Sequence, residues 1–240
     1  MLDYFFGPWT IIQIIAIVHF IRRRPEMFWL WIIIIGGWIG SLVYIFMEVI
    51  PDFTQGKEIG YLSRRRRILQ AEEQVTANPS AGNYEELADL YLEDGKLTKA
   101  RECYNKSISA RTDSPDPFYR RALCNIGLND FAAAVPDLER VVEKDPKYDF
   151  YRAQGLLAHA YANTGRKEEA QRLFENVVDV STISETWYNY GVFLKQQGRG
   201  AEARQWAEKI LSKKHGMPMY LKRRERPWFR KAEALRKAAG

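Results

Sequence analysis

The sequence has little of the chemistry that enzymes and metal sites usually require. Two cysteines and three histidines occur among 240 residues. No Cys-x-x-Cys, His-Glu-x-x-His, Gly-x-Ser-x-Gly or phosphate-loop pattern is present. His159 stands between Ala and Tyr, without a Cys, Ser or acidic residue at a spacing that would build a nucleophile or a metal site. We therefore expect no enzymatic activity, no metal site and no cofactor.

The two cysteines, Cys103 and Cys124, fall on successive predicted helices and could lie near each other. Buried free thiols are the commoner arrangement, but the sequence alone leaves a disulfide between them open. The cysteines therefore do not identify the compartment in which the protein works.

Long runs without charge occur near the start of the chain. Residues 4–21 contain Gln13 and His19 as their strongly polar side chains, and residues 27–50 contain one charge, Glu48. At about 1.5 Å per helical residue, runs of 18 and 24 residues are long enough for a hydrocarbon core of about 30 Å, the first only just. A secretory signal peptide would need a basic start and small residues at a cleavage site, which are missing here. The sequence predicts two membrane-spanning helices.

This region also resembles a known membrane anchor. The second run carries Trp29, Trp31, Gly40 and Tyr44. With the first run and the short basic loop, it is similar to the two-helix N-terminal region of phospholipase D-type enzymes such as cardiolipin synthases, over residues 4–53. Those enzymes use a His-x-Lys-x-x-x-x-Asp signature, which none of the three histidines begins. The resemblance therefore implies an anchor, assigned to residues 1–53, without lipid-synthesising activity.

Positive charges flank the two predicted spans unequally. Three arginines lie between the spans at residues 22–24, whereas Lys57 and the arginines at residues 64–67 follow the second span. Lys and Arg near spans concentrate on the cytoplasmic side. The sequence thus predicts a multi-pass protein of a bacterial-type cell membrane, with the remainder of the chain in the cytoplasm.

From residue 81 the sequence repeats itself four times at intervals of 33 to 36 residues. Each unit carries two small residues 12 positions apart, with large apolar or aromatic residues around them. These pairs are Ala88 and Ala100, Ala122 and Ala134, Ala158 and Ala170, and Gly191 and Ala203. Each unit predicts two helices that meet through their small residues. The pattern resembles the tetratricopeptide repeat, which implies an all-α solenoid of four repeats over residues 79–216.

The turn inside each unit is marked by a residue that tolerates the left-handed backbone conformation. Gly95, Gly165 and Gly198 occupy this place in three units, and Asn129 occupies it in the second. Gly adopts positive φ freely, and Asn does so more readily than most residues. We therefore predict a left-handed turn in all four units.

In repeats of this type the first helix of each pair lines a concave groove, so the resemblance implies a binding surface there. By register, the groove would carry Glu85, Asp89, Leu92, Tyr119, Leu123, Ile126, Arg152, His159, Asn163, Tyr188, Val192 and Lys195. Such a face is acidic at its start, apolar and aromatic in its middle and basic at its end. It suits an extended or helical peptide with a hydrophobic anchor, provided that the two tyrosines are exposed.

One known ligand of such repeats is not expected here. Some repeats of this family bind the C-terminal carboxylates of heat-shock chaperones with Lys and Asn on the first helix. Glu85 and Asp89 stand at those places. Because like charges repel, the sequence disfavours a chaperone tail as the partner.

Two segments are strongly basic. One is a predicted juxtamembrane helix within residues 54–78, capped by Ser63. The other is the last 32 residues, which hold eleven Lys or Arg and two Glu. Pro227 is placed to open a basic helix within residues 217–240, and Trp228 and Phe229 begin an apolar stripe that would cap the solenoid. The arginines predicted to contact anionic lipid are Arg64, Arg65, Arg66, Arg67, Arg223, Arg224, Arg226 and Arg230.

Two alternatives to lipid binding concern these arginines. The first four serve equally well as a determinant of membrane topology without lipid specificity. Nucleic acid is not the expected partner, because the chain contains no recognisable module for reading or stacking bases.

The sequence as a whole predicts an all-α, membrane-anchored and non-catalytic adaptor that binds partner proteins through its groove. An alternative assigns the active part to the N-terminal hairpin. The protein would then be an accessory or assembly subunit of a membrane-embedded channel, transporter or secretion complex.

Overall fold

The computed structural model describes residues 8–23, 26–49, 58–109 and 112–239. These residues form helices and connecting turns, and no strand occurs among them. The chain divides into two compact units, residues 1–69 and residues 70–240.

Among the described residues, the first unit contains three helices, a π-helical turn and the first part of a fourth helix. The three helices are α1 (Pro8–Arg23), α2 (Phe28–Ile35) and α3 (Gly37–Tyr44), and the turn is Ile45–Val49. Tyr44 is fully buried. Its hydroxyl forms a hydrogen bond of 2.9 Å with Nδ1 of His19, and its ring packs against the ring of Trp29. Large apolar side chains such as Ile35 and Phe46 remain exposed on the outside of these helices.

The prediction of two membrane spans is wrong. The second apolar run is divided because Gly37 has a φ of 54°, which ends one eight-residue helix and begins another. The first run yields the 16 residues of α1. None of the helices in the described residues is both long enough and apolar enough to cross a membrane. The predicted multi-pass localisation and its orientation are therefore overturned, and the likeness to the phospholipase D anchor is not shown.

Helix α4 (Glu58–Ala77) follows and crosses the division between the units. It begins five residues before Ser63, so the predicted cap at Ser63 is wrong. Within the second unit, the hydroxyl of Tyr91 donates a hydrogen bond to the carboxylate of Glu72, which attaches the end of α4 to the helix that follows.

Among the described residues, the second unit contains the end of α4, four helix pairs and a final helix. The pairs are α5 (Ala81–Glu93) with α6 (Leu97–Ser107), α7 (Asp116–Gly127) with α8 (Phe131–Lys144), α9 (Arg152–Asn163) with α10 (Lys167–Val180), and α11 (Ser184–Gln196) with α12 (Gly200–Ser212). Each helix packs on its partner, and each pair packs on the next pair. The last helix is α13 (Met219–Ala238), which packs on α11 and α12.

The repeat prediction is confirmed in its packing. All eight small residues are buried, seven of them alanines with no exposed surface. The turns at Gly95, Asn129, Gly165 and Gly198 have φ values of 74°, 60°, 83° and 79°. The left-handed turn at Asn129 shows that this residue takes the role that glycine has in the other three pairs.

The predicted start of the last helix at Pro227 is wrong. Pro227 lies inside α13, which begins eight residues earlier at Met219. A proline inside a helix removes one backbone hydrogen bond. Helix α13 continues through it because Phe229, Ala232 and Leu235 are buried in the core that it shares with α11 and α12.

Candidate protein-binding surface

The first helices of the four pairs, together with α13, build the candidate surface, which we call the inner face. Helix α9 packs directly on α11, and α11 packs directly on α13. Helix α13 therefore occupies the place that the first helix of a fifth pair would take. The inner face is thus continued at its end by residues of the basic tail.

Tyr119 and Arg152, two of the predicted groove residues, join three repeats to one another. The Tyr119 hydroxyl donates a hydrogen bond of 2.5 Å to Asp149, and Arg152 lies 3.3 Å from the same hydroxyl. Arg152 also donates from Nε to Glu185 at 2.6 Å, and it is 3.4 Å from Asp149. These contacts connect α7, the loop before α9, α9 itself and α11. They neutralise Arg152, so the basic end predicted for the groove does not begin there.

The expected exposure of Tyr119 is wrong. The side chain is only 6 % exposed, and its ring contacts Tyr148 with the ring centroids 4.9 Å apart. Burial raises the pKa of Tyr119, and the Asp149 carboxylate that accepts its hydrogen bond raises it further. Tyr119 therefore stabilises the stack of repeats rather than offering a free aromatic contact.

Asp149, which the sequence did not indicate as a functional residue, lies in the turn between α8 and α9. Asp149, Phe150 and Tyr151 all have positive φ, at 49°, 53° and 66°. This conformation is unfavourable for residues other than glycine, by about 1 to 2 kcal/mol each. The hydrogen bond from Tyr119 and the ion pair with Arg152 offset part of that cost. The sequence did not indicate three successive left-handed residues here, because Phe150 and Tyr151 are not residue types that favour this conformation.

The predicted acidic end of the groove is also partly neutralised. Asp89 forms an ion pair with Arg120 at 3.3 Å and accepts a hydrogen bond from the buried hydroxyl of Tyr104. Partial burial raises the pKa of Glu85, and the neighbouring Asp89 carboxylate raises it further. Arg120 of the next repeat thus reduces the repulsion that we expected between Asp89 and a carboxylate of a ligand.

Five apolar members of the predicted groove are half-buried on the inner face, and the four other than Leu92 pack on the core of the repeats. These four are Leu123, Ile126, Tyr188 and Val192. The ring of Tyr188 lies 5.9 Å from that of Trp228, and Lys231 lies 5.5 Å from the centre of the Tyr188 ring. Trp228 and Lys231 were not predicted to belong here, since the sequence does not reveal that α13 packs beside α11.

His159 lies in the middle of the inner face and is neutral in the folded protein. Its ring meets that of Phe131 edge to face at 5.2 Å, and its Nδ1 lies 3.2 Å from the amide nitrogen of Asn163. Burial lowers the pKa of His159 to about 4, and the positive charge of Lys231 lowers it further in the same direction. Asn163 and Lys195 are exposed. The histidine is therefore a packed contact residue of the inner face.

Two cavities open beside these residues. The larger, of about 850 Å³, is lined by Arg152 and Glu185 of the network, by the loop between α12 and α13, and by Leu221, Arg224 and Trp228 of α13. The smaller, of about 370 Å³, is lined by Tyr119, Arg120, Leu123, Tyr148 and Asp149. Cavities of this size with mixed apolar and polar linings are typical of ligand sites.

The predicted lipid-contacting arginines lie in three different places. Arg64, Arg65, Arg66 and Arg67 are all exposed on α4. Arg224 lines the larger inner-face cavity, whereas Arg223, Arg226 and Arg230 line a third cavity of about 710 Å³ on another side of α13. Contact with anionic lipid remains a prediction, but the four tail arginines do not form one array.

Neither a metal site nor a disulfide is found in the described part of the chain. No cluster of three His, Cys, Asp or Glu residues there could bind a metal ion. Cys103 and Cys124 are both free and buried. Burial raises the pKa of Cys124 to about 11, which keeps its thiol protonated and unreactive at neutral pH.

Comparison with known structures agrees with this architecture. The chain aligns with the crystal structure of YrrB, a TPR protein described as having an unusual peptide-binding site, with a TM-score of 0.54 and 20 % identity over 62 % of this chain and 77 % of that one. A crystal structure of MamA protein gives a TM-score of 0.56 and 19 % identity, covering 71 % of this chain and 96 % of that one. At such identities the likeness shows the fold.

Curated relatives match through the same region. DnaJ homolog subfamily C member 3 of Rattus norvegicus is 31 % identical over 101 residues, which is 42 % of this chain and 20 % of the relative. The small glutamine-rich tetratricopeptide repeat-containing protein 2 of Mycosarcoma maydis is 28 % identical over 113 residues, 45 % of this chain and 32 % of the relative. The chain thus spans between a fifth and a third of the length of these two relatives.

Family models cover most of the repeat region. One tetratricopeptide repeat model matches residues 126–180, and another matches residues 85–149 and 156–218, which together make up more than half of the chain. The buried small residues, the left-handed turns and the pairwise packing of α5 to α12 agree with this assignment. The chain therefore belongs to the tetratricopeptide repeat family.

Proposed function

We propose that this protein is a non-catalytic adaptor that binds a segment of a partner protein on its inner face. The observation that carries the proposal is the set of half-buried apolar side chains on α7 and α11, which we call the apolar strip, together with the contacts of Tyr188 with Trp228 and Lys231 of α13. Half-buried aromatic and aliphatic side chains beside a cavity are the usual anchors of a peptide interface.

The partner segment would carry a large apolar residue for this strip and polar groups for its edges. Tyr119, Arg152 and Asp89 are already paired within the protein, so they contribute shape more than free charge. Exposed Asn163 and Lys195 remain available to a ligand. A peptide with an apolar anchor and acceptor groups near Lys195 fits these features.

The alternative that gave the active role to the N-terminal hairpin is not favoured. It depended on membrane spans, and the described helices of that region do not meet the requirement for a span. The repeats, which account for most of the described residues, carry the family assignment instead.

Site-specific photo-crosslinking of the full chain in its native cells tests the proposal. A photoreactive amino acid placed at Asn163 or Lys195 on the inner face should yield adducts of discrete mass. The same amino acid at exposed Arg172 or Asn176 on α10 should yield none. Two further variants, Leu123→Glu and Val192→Glu, place charge on the apolar strip.

Each glutamate variant should remove the adducts while the helical circular dichroism is retained, because a charge on the strip opposes burial of an apolar anchor. Equal adducts from α10, or adducts that survive both glutamates, would contradict the proposal.

A further inference from the structure

A second surface lies outside the inner face, where the end of α12 meets α13. It is the cavity of about 710 Å³, which we call the basic groove. Its apolar lining consists of Leu211 on α12 and of Met219 and Phe229 on α13. Phe229 is 8 % exposed and belongs to the core, Leu211 is half-buried, and Met219 is 68 % exposed. The groove therefore has a firm apolar floor with one accessible side chain at its edge.

Positive charge surrounds this floor. Five cations line the groove, namely Lys214, Lys222, Arg223, Arg226 and Arg230. None of the five forms an ion pair with a carboxylate among the residues that the structure describes. The single acidic residue in the lining, Glu233, is already paired with Arg236 at 2.6 Å.

Unpaired like charges close together repel one another and destabilise the fold slightly. Several arginines elsewhere in the repeats are paired with carboxylates, as in Arg121 with Asp137 and Arg166 with Glu169. The basic groove differs from these pairs because five cations without a carboxylate partner in the described part of the chain line one cavity. An external anion would remove this repulsion, and the apolar floor would bind the hydrophobic part of the same ligand.

We propose that the basic groove binds an acidic amphipathic segment of a protein, one that combines Glu or Asp with a large aliphatic or aromatic side chain. The recessed floor favours this ligand over a membrane surface, whose headgroups lie in a plane and do not enter a cavity. The four tail arginines are also divided between two sides of α13, so they do not form a single surface for a bilayer. Nucleic acid is disfavoured because the aromatic ring in the groove, Phe229, is buried and cannot stack with a base.

This surface is independent of the adaptor proposal, because none of its lining residues belongs to the apolar strip of the inner face. It would let the protein contact two partners at once. One partner segment would occupy the inner face, and an acidic segment of the same or another protein would occupy the basic groove.

Fluorescence anisotropy with the full chain tests the proposal, using a labelled helical peptide of glutamate and leucine with the leucines on one face. Arg226→Glu should weaken binding by about tenfold, because it reverses one charge of the rim. Met219→Ser should weaken it by about threefold, because it removes exposed apolar area at the floor. The matched controls are Arg224→Glu, on the other side of the same helix, and Tyr220→Ser, which is 70 % exposed and outside the groove. Both should change the affinity less than twofold.

Three outcomes would overturn the proposal. If Arg224→Glu weakens binding as much as Arg226→Glu, the attraction is a general effect of the basic tail. If a peptide with serine in place of leucine binds equally well, the apolar floor has no role. If phosphatidylglycerol vesicles or single-stranded DNA bind more tightly than the peptide and show the same dependence on Arg226, the groove recognises lipid or nucleic acid instead. All four substituted side chains are exposed, so we expect the variants to fold.

Discussion

Gly155 shows how closely the first helices of neighbouring repeats approach each other. A methyl group added at Gly155 would overlap Oγ1 of Thr186 and lie 2.8 Å from its Cγ2. Thr186 is 1 % exposed and cannot move aside without disturbing the core. The contact between α9 and α11, which aligns the inner face, therefore depends on the missing side chain.

We expect Gly155→Ala to lower the free energy of unfolding by about 1 to 3 kcal/mol, because the added methyl group overpacks this contact. Gly82→Ala is the matched control, since an added methyl group at Gly82 meets nothing within 4 Å. The control should leave stability unchanged or raise it by up to about 1 kcal/mol, because Ala favours the helix. Urea unfolding followed by circular dichroism measures both. Equal stability of the two variants would refute the close approach.

His159 should change its charge state on folding at mildly acidic pH. Burial lowers the pKa of His159 from 6.5 to about 4 in the folded protein, and Lys231 adds to this effect. In the unfolded chain the imidazole titrates near 6.5. Between these two values the unfolded state binds a proton that the folded state does not, so stability falls as the pH decreases through this window.

The free energy of unfolding should therefore decline by up to about 3 kcal/mol between pH 6.5 and pH 4 through His159 alone. His159→Gln should lack this component, whereas His215→Gln, at an exposed position, should retain it. Unfolding curves of the three proteins across this pH range provide the measurement. A pH dependence in His159→Gln that matches the unsubstituted chain would show that the histidine is not desolvated.

At the scale of the elements, α7 and α8 are joined by a paired interaction. Arg121 donates from Nε to Asp137 at 2.8 Å and from a terminal nitrogen to the other carboxylate oxygen at 2.6 Å. Asp137 is 4 % exposed. Such a two-bond pair is strong because both donors match the planar carboxylate. It fixes the angle between the two helices of the second repeat.

Asp137→Asn should destabilise the protein by about 3 kcal/mol, because it leaves Arg121 without its counter-charge in a mostly buried place. Glu208→Gln breaks the pair between Arg204 and Glu208 on α12, which is exposed on both sides. That control should change stability by no more than about 0.5 kcal/mol. Thermal unfolding of both variants distinguishes them, and a loss in Asp137→Asn as small as the control would mean that the pair contributes little.

Predictions made at the scale of elements were accurate where the pattern was repeated and wrong where it was not. The two apolar runs predicted long helices, but Gly36 and Gly37 divide the second run. The apolar character of a run does not show where the backbone changes direction. Pro227 predicted a helix start, but buried side chains on α13 keep the helix continuous through it. At Gly37 a local turn ends a helix, and at Pro227 the packing of buried side chains maintains one.

In the second unit as a whole, α13 closes the stack of repeats. Its Phe229, Ala232 and Leu235 belong to the same core as residues of α7, three repeats earlier. A methyl group added at Gly191 on α11 would lie 2.8 Å from Leu235. Stability in such stacks spreads through contacts between neighbouring repeats. The last repeat therefore depends on α13 more than the first repeat does.

Phe229→Ala should destabilise the protein by about 3 to 5 kcal/mol, because it opens a cavity beneath α13. Amide hydrogen exchange should accelerate most in α11 and α12 and least in α5 and α6, since the effect passes from repeat to repeat. Met219→Ala, at an exposed position of the same helix, should leave exchange unchanged. A uniform acceleration over all four repeats would indicate that the second unit unfolds as a single block.

What the sequence alone determined was the repeat. Packing between paired helices requires a small residue at each close approach, and the turn requires a residue that tolerates the left-handed conformation. Both requirements place particular residue types at regular spacing. The predicted core positions and all four turns follow from these residues. The half-burial of Leu123, Ile126, Tyr188 and Val192 also follows, because helical register places each of them beside the buried face of its helix.

The packing of the repeats determines which side chains remain available to a ligand, and the sequence does not show this. Tyr119 and Arg152 looked free in the sequence, but the turn at Asp149 and the approach of Glu185 pair both of them. The tail looked like one basic patch, but α13 packs on α11 and α12 and divides its arginines between two cavities. Contacts between residues about thirty positions apart depend on how the repeats stack, and a local sequence pattern does not predict them.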